Sequence, residues 1–148
     1  MVKVFLGADH AGYKLKEEIK VILDKAQVQY EDLAPKYNEG DDYPDIALKV
    51  CEKILETKSM GILICGSGVG ISIAANKVPG IRAALCHNAR DLSLSREHND
   101  ANVLCLSGWM FDKEFGPEIV RWFNTPFEGG RHQRRVDKIN KIEEYYSK

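Results

Sequence analysis

The run GILICGSGVGISIAANK, residues 61–77, sets a thiol, Cys65, and a hydroxyl, Ser67, among three glycines, Gly66, Gly68 and Gly70. Missing side chains bare the backbone N–H groups of such a loop, and a helix starting behind it adds the positive end of its dipole. The loop can therefore hold a negative oxygen, either a phosphate or an oxyanion formed during a reaction. A thiol directly before it has its thiolate favoured, which makes Cys65 a candidate base or nucleophile. The plainer alternative is that the glycines let a helix and strand pack closely and that Cys65 is one more buried thiol. A dinucleotide fingerprint needs G-x-G-x-x-G after the first strand, and a P-loop needs a following Gly-Lys-Ser/Thr; neither pattern is present.

A second group stands in EGGRHQRRVDKI, residues 128–139. Arg131 and Arg135 are four apart and share one face if a helix begins there, as a doubly charged phosphate would require, whereas Arg134 points elsewhere. Arginines at a helix start are more often a solvated face, but they oppose the dipole and call for a compensating anion. Asp9 and His10, and Cys86 and His87, stand at the ends of apolar runs, and the pair His98 and Asn99 comes at the close of the helix before the last apolar run. Asp9 could equally cap the helix that follows, and His98 could simply end one. The four histidines show no metal-ligand spacing, so neither a metal nor another cofactor is expected.

The elements that must position these groups alternate. VKVFLGADH, VQYEDL, MGILIC, IRAALC and ANVLCLS read as strands, and amphipathic segments follow each of them. Leu15, Ile19, Ile22 and Leu23 repeat at helical spacing, a helix is expected over about 45–57 behind Pro44, and KEFGPEIVRWFN reads as another. A last helix is expected from about 133 to 146, with Val136, Ile139, Ile142 and Tyr146 as its apolar stripe. Near-continuous apolar strands alternating with helices predict a doubly wound α/β domain: a three-layer αβα Rossmann-like sandwich around a parallel sheet of about five strands. Ligands of such sheets bind beyond the carboxyl ends of the strands.

At 148 residues and 44% hydrophobic content, one domain spanning 1–148 is expected. The net charge of -1 gives no global reason to expect a nucleic-acid or membrane partner. Four cysteines without CxxC spacing, no long apolar span and no charged leader at the start predict a cytoplasmic protein.

The blocks GADHAGYKLKEEI, DYPD, GILICGSGVGISIAANKVPGIRAALC, SREHNDANVL and FEGGRHQRRVDKI, in this order, resemble the type-B ribose-5-phosphate isomerase family, which includes the subunits of galactose-6-phosphate isomerase. The resemblance implies metal-independent interconversion of an aldose phosphate and its ketose through an enediolate. It implies Cys65 as the base between C1 and C2, the N–H groups from Gly66 to Gly70, Val69 included, as the anion hole, and Ser67 as an aid to proton transfer between oxygens. His98 would open the sugar ring and Asn99 would hold an enediolate oxygen. Asp9, His10 and Tyr43 would contact sugar or phosphate, and Arg131 and Arg135 the phosphate. It further implies a homodimer or dimer of dimers, with the site shared between subunits.

The resemblance breaks at one point. Many relatives place a phosphate-binding arginine shortly after NDANVLCL, whereas this chain reads SGWMFDKE and has Trp109 at or beside that position. The remaining Arg131, Arg135 and His10 could suffice for ribose 5-phosphate. Otherwise the substrate could be another aldose phosphate, such as allose 6-phosphate, galactose 6-phosphate or a tetrose phosphate, or the chain could bind a sugar phosphate without turning it over.

Overall fold

The structure, a computed structural model, describes residues 3–147. Met1, Val2 and Lys148 lie outside the described residues, Val2 being the first residue of the expected first strand. Five strands, β1 (Val4–Ala8), β2 (Tyr30–Asp32), β3 (Met60–Cys65), β4 (Ala83–Leu85) and β5 (Val103–Ser107), form one parallel sheet in the order β2-β1-β3-β5-β4. The helices are α1 (Tyr13–Lys25), α2 (Tyr43–Thr57), α3 (Val69–Asn76), α4 (Ala89–Glu97), α5 (Gly116–Asn124) and α6 (Arg131–Tyr146).

Strand residues alternate between two faces, and each face has its own core. Leu6, Ile62, Ile64, Leu104 and Leu106 meet Leu15, Ile19 and Leu23 of α1, Leu92 of α4 and Trp122 of α5. Phe5, Leu63, Cys65, Val103 and Cys105 meet Val50 and Ile54 of α2 and Ile71 and Ala75 of α3. Because both faces are covered, β1, β3 and β5 are buried almost throughout, which explains their unbroken apolar sequence. The expected three-layer αβα sandwich is the observed one. Trp122 locks one layer: its indole N–H donates to Ser95 Oγ at 2.9 Å, and its replacement by Ala would cost roughly 3–5 kcal/mol.

Three local expectations are corrected. The segment at 113–124 divides into a 3-10 turn, Lys113–Phe115, and α5, because Pro117 in the first turn of α5 favours a helix start there. α6 starts at Arg131, two residues earlier than expected. Its apolar stripe is not buried within the chain: Val136 is, but Ile139, Ile142 and Tyr146 are 47%, 62% and 80% exposed. Lys16, which a helical wheel would pass over, is fully buried and paired with Asp32 of β2.

No helix among the described residues is long and apolar enough to cross a membrane.

Candidate active site

From β1 the chain goes outward to β2 on one side and to β3 on the other, so the strand order reverses between β1 and β3. A crevice opens there, beyond the carboxyl ends of the strands, as in other open parallel sheets. Asp9, His10 and Ala11 beyond β1 line it, with Asp41 and Asp42 ahead of α2, Tyr43 at its start, Cys65 at the end of β3, Gly66 and Ser67 after it, Gly70 in the first turn of α3, and Trp109 after β5. Its volume is about 350 Å³.

The glycine loop is shaped by what presses on it. Gly68 has φ +81°, a left-handed conformation that a side chain resists, and a Cβ there would come within 2.5 Å of Leu85. A Cβ on Gly66 would strike the indole of Trp109, and one on Gly70 the Tyr43 ring. Two aromatic rings therefore close on the loop from either side, and only glycine leaves room. The β5 end braces it: Gly108 N–H donates to the Cys65 carbonyl at 2.9 Å, Trp109 N–H to the Gly66 carbonyl at 3.1 Å, and Ser107 Oγ to the same carbonyl at 2.7 Å. The N–H groups of Val69, Gly70 and Ile71 open α3 and have no acceptor inside the helix. Val69 N–H donates to Ser67 Oγ at 3.1 Å, which ties the hydroxyl to the loop and leaves its proton free to donate.

Asp9 serves the bland role and leaves room for another. Its Oδ1 accepts from the N–H groups of Ala11 and Gly12, both at 3.0 Å, and so holds the turn into α1. Burial pushes its carboxyl above the ordinary value, although the Gly12 N–H works against this. His10 is gripped by Asp41, whose Oδ1 lies 3.0 Å from both its Nδ1 and its backbone N–H. That hydrogen bond raises the His10 pKa and favours an imidazolium facing the crevice. Asp41 was missed by sequence reasoning; its signal was the acidic run EGDDYPD, where a loop acid is usually mere surface.

The other three thiols do not line the crevice. Burial pushes Cys51 up to about 12, Cys86 up to about 11 and Cys105 well above its usual value, so all three stay protonated at neutral pH.

His98, Asn99, Arg131 and Arg135 are not in this crevice. His98 caps the end of α4, and the Asn99 carbonyl accepts from Arg82 Nε at 3.1 Å, just before β4 begins. They therefore lie at the amino edge of the sheet, four strand steps from Cys65, roughly 13 Å along β3 alone. The start of α6 is pinned to the same edge, since Glu128 N–H donates to the Glu97 carbonyl at 3.0 Å. Arg131 and Arg135 sit there exposed, as does Asn99. A larger groove of about 690 Å³ adjoins them, lined by Ala83, Ala101, Ile139 and Ile142. It holds no thiol or glycine loop. The crevice at the carboxyl edge has the chemistry.

A thiol, a bared helix start and a histidine beside a parallel sheet's switch point define an α/β enzyme, and similarity to known proteins gives its class, aldose–ketose isomerase. The chain belongs to the Ribose/Galactose Isomerase family, which it matches over residues 4–139. It is 44% identical to ribose-5-phosphate isomerase B of Escherichia coli over 146 residues, 97% of this chain and 98% of that one. The structure of Clostridium thermocellum ribose-5-phosphate isomerase B is similar with a TM-score of 0.92 at 49% identity, covering 98% of this chain and 99% of that one. The Mycoplasma genitalium enzyme, solved with bound ribulose-5-phosphate, is similar with a TM-score of 0.88 at 44% identity, covering 96% of each chain.

Proposed function

We propose that this chain, as a single domain, interconverts ribose 5-phosphate and ribulose 5-phosphate without a metal, using Cys65 as the base. The carrying observation is the placement of Cys65 at the mouth of the glycine loop, with the start of α3 behind it and His10 across the crevice. The Cys65 thiolate takes the C2 proton of the open-chain aldose. The electron pair moves onto the carbonyl oxygen at C1, where the loop N–H groups of Gly66 to Gly70 meet the developing charge. Ser67 passes the hydroxyl proton from O2 towards O1, and Cys65 returns its proton to C1. Every proton lent is given back, so the enzyme ends as it began. Tyr43 and Asp9 border the sugar.

The remaining groups arrive from a second copy. His98, Asn99, Arg131 and Arg135 cannot reach their own Cys65 from the opposite edge of the sheet, yet Asn99, Arg131 and Arg135 stand exposed and His98 half-buried, on the side of the uncovered Ile139 and Ile142. A homodimer that buries this apolar face brings them to the neighbour's crevice, where His98 opens the furanose, Asn99 holds an enediolate oxygen and the two arginines take the phosphate. Dimers of dimers extend the same arrangement.

Incubation with ribulose 5-phosphate in deuterium oxide tests the reading. Deuterium should enter C1 with wild-type protein and not with Cys65→Ala, which should still bind the sugar phosphate. Binding without exchange by the wild type would overturn it. Trp109 favours a second reading, an aldose phosphate of other length, because its indole is 74% exposed and forms a wall of the crevice. Comparing ribose 5-phosphate, allose 6-phosphate, galactose 6-phosphate and a tetrose phosphate as substrates decides between them.

A further inference from the structure

His132 has no part in the reaction as described so far, yet it is the polar side chain most conspicuously placed at the amino edge. Its ring lies face to face with His98, the centroids 4.0 Å apart and the planes inclined by 13°. It is 7% exposed, and its Nε2 is buried without a hydrogen-bond partner; the nearest countercharge is Glu128 Oε2, at 3.5 Å. Burial, with the nearby His98 and Arg131, lowers its pKa and keeps the ring neutral, against the pull of Glu128.

With Glu128, the two histidines have the composition of a metal site, their candidate ligand atoms within 4.8 Å of one another. The stacking argues against it. A cation takes an imidazole lone pair in the plane of the ring at about 2.0–2.1 Å, and two nearly parallel planes offer no shared point at that distance. The pair is built for contact between faces.

What that contact does follows from what else holds His98. Its backbone N–H donates to the Leu94 carbonyl, but its ring makes no hydrogen bond among the described residues. The second side-chain torsion of a histidine is broad, so an imidazole without a partner sweeps a wide arc. Against this, the platform beneath it is fixed three times over. Arg96 Nε donates to the Thr125 carbonyl at 3.1 Å, Glu128 N–H donates to the Glu97 carbonyl at 3.0 Å, and His132 N–H donates to the Gly129 carbonyl at 3.0 Å. α4 and the start of α6 are thus clamped so that one ring lies flat on the other.

We infer that His132 is a positioning residue: its buried ring sets the plane of the His98 imidazole, so that His98 meets the furanose of the neighbour's substrate in one orientation. The inference rests on the reading of His98 as the group that opens the ring. Cys65 stands outside it, and this makes the two readings separable.

Ring opening is needed to connect the enediolate with the cyclic aldose. It is not needed for exchange of the C1 proton of ribulose 5-phosphate, an open-chain ketose. His132→Ala should therefore slow conversion of ribose 5-phosphate by roughly 10–100-fold, the scale of a misplaced catalytic group, while C1 exchange with deuterium oxide stays within about two-fold of wild type. His132→Phe restores a stacking face without the ring nitrogens and should recover conversion to within about three-fold. His132→Asn replaces the alanine variant should that one fold poorly. Sedimentation and circular dichroism confirm that each variant is folded and assembled as wild type. Undiminished conversion in His132→Ala, a parallel fall of conversion and exchange in the assembled protein, or failure of His132→Phe to recover would overturn the inference. Loss of exchange in the wild type would instead count against Cys65 as the base.

Discussion

The two edges of the sheet are built differently. At the carboxyl edge the functional groups are finished: Asp9 holds a turn, His10 is gripped by Asp41, and the glycine loop is braced by three hydrogen bonds and enclosed by Tyr43 and Trp109. At the amino edge Arg131 and Arg135 stand in solvent next to an apolar stripe that nothing among the described residues covers. Side chains meant for local work are satisfied locally. Those left open beside exposed isoleucines have the character of an interface, because isolated arginines and a bare apolar face both gain by association. The difference teaches that the carboxyl-edge crevice is preorganised within one chain, whereas the amino edge carries groups that the proposed homodimer would bring to a neighbour's crevice.

The largest effect should come from the finished edge. Cys65→Ala is expected to reduce turnover by roughly 10²–10⁴-fold, the range of a general base, as measured by ketose formation. The sharpest test of the division mixes two inactive proteins, Cys65→Ala and His98→Ala, dissociated and reassembled together. If each site draws on two copies, half of the dimers carry one intact site, and activity should return to about a quarter of wild type. No recovery would place His98 and Cys65 in one chain's site and break the comparison.

A smaller effect concerns the loop itself. Gly68→Ala forces a Cβ into a left-handed backbone position and against Leu85. It should cost about 1–2 kcal/mol, read as a lower midpoint in urea unfolding. The smallest is electrostatic. The Asp41 hydrogen bond raises the His10 pKa, so Asp41→Asn should lower the His10 titration midpoint, followed by NMR. The sign for stability follows: the pair stabilises the fold fully below the ordinary histidine value of about 6.5, and its contribution fades as pH rises through the raised value. Wild type should thus lose its advantage over Asp41→Asn on going from pH 6 to pH 9. An unchanged midpoint would mean that Asp41 does not hold His10.

Much of the fold was legible along the chain. Unbroken apolar runs identify β3 and β5, and a 3.6-residue period identifies α1, because their burial is decided by the sheet's own two faces. The thiol, the glycines and the following helix are contiguous, so their chemistry is also local: bare N–H groups behind Cys65 need nothing from afar to be recognised. By contrast, Asp41 becomes a partner of His10 only because α2 returns beside β1, across a separation of 31 residues. The α6 stripe reads as core, yet periodicity reports only that a face is apolar and not what covers it.

The sequence by itself determined the elements, the glycine loop with its thiol, and the family, since each depends on neighbours in the chain. Only the tertiary structure decided that Cys65 and His98 lie at opposite edges. A parallel sheet obliges each helix to run back against its strands, so the end of α4 comes down at the amino edge while the end of β3 faces the other way. That antiparallel return, invisible in any local pattern, is why Cys65 and His98 of one chain stay apart.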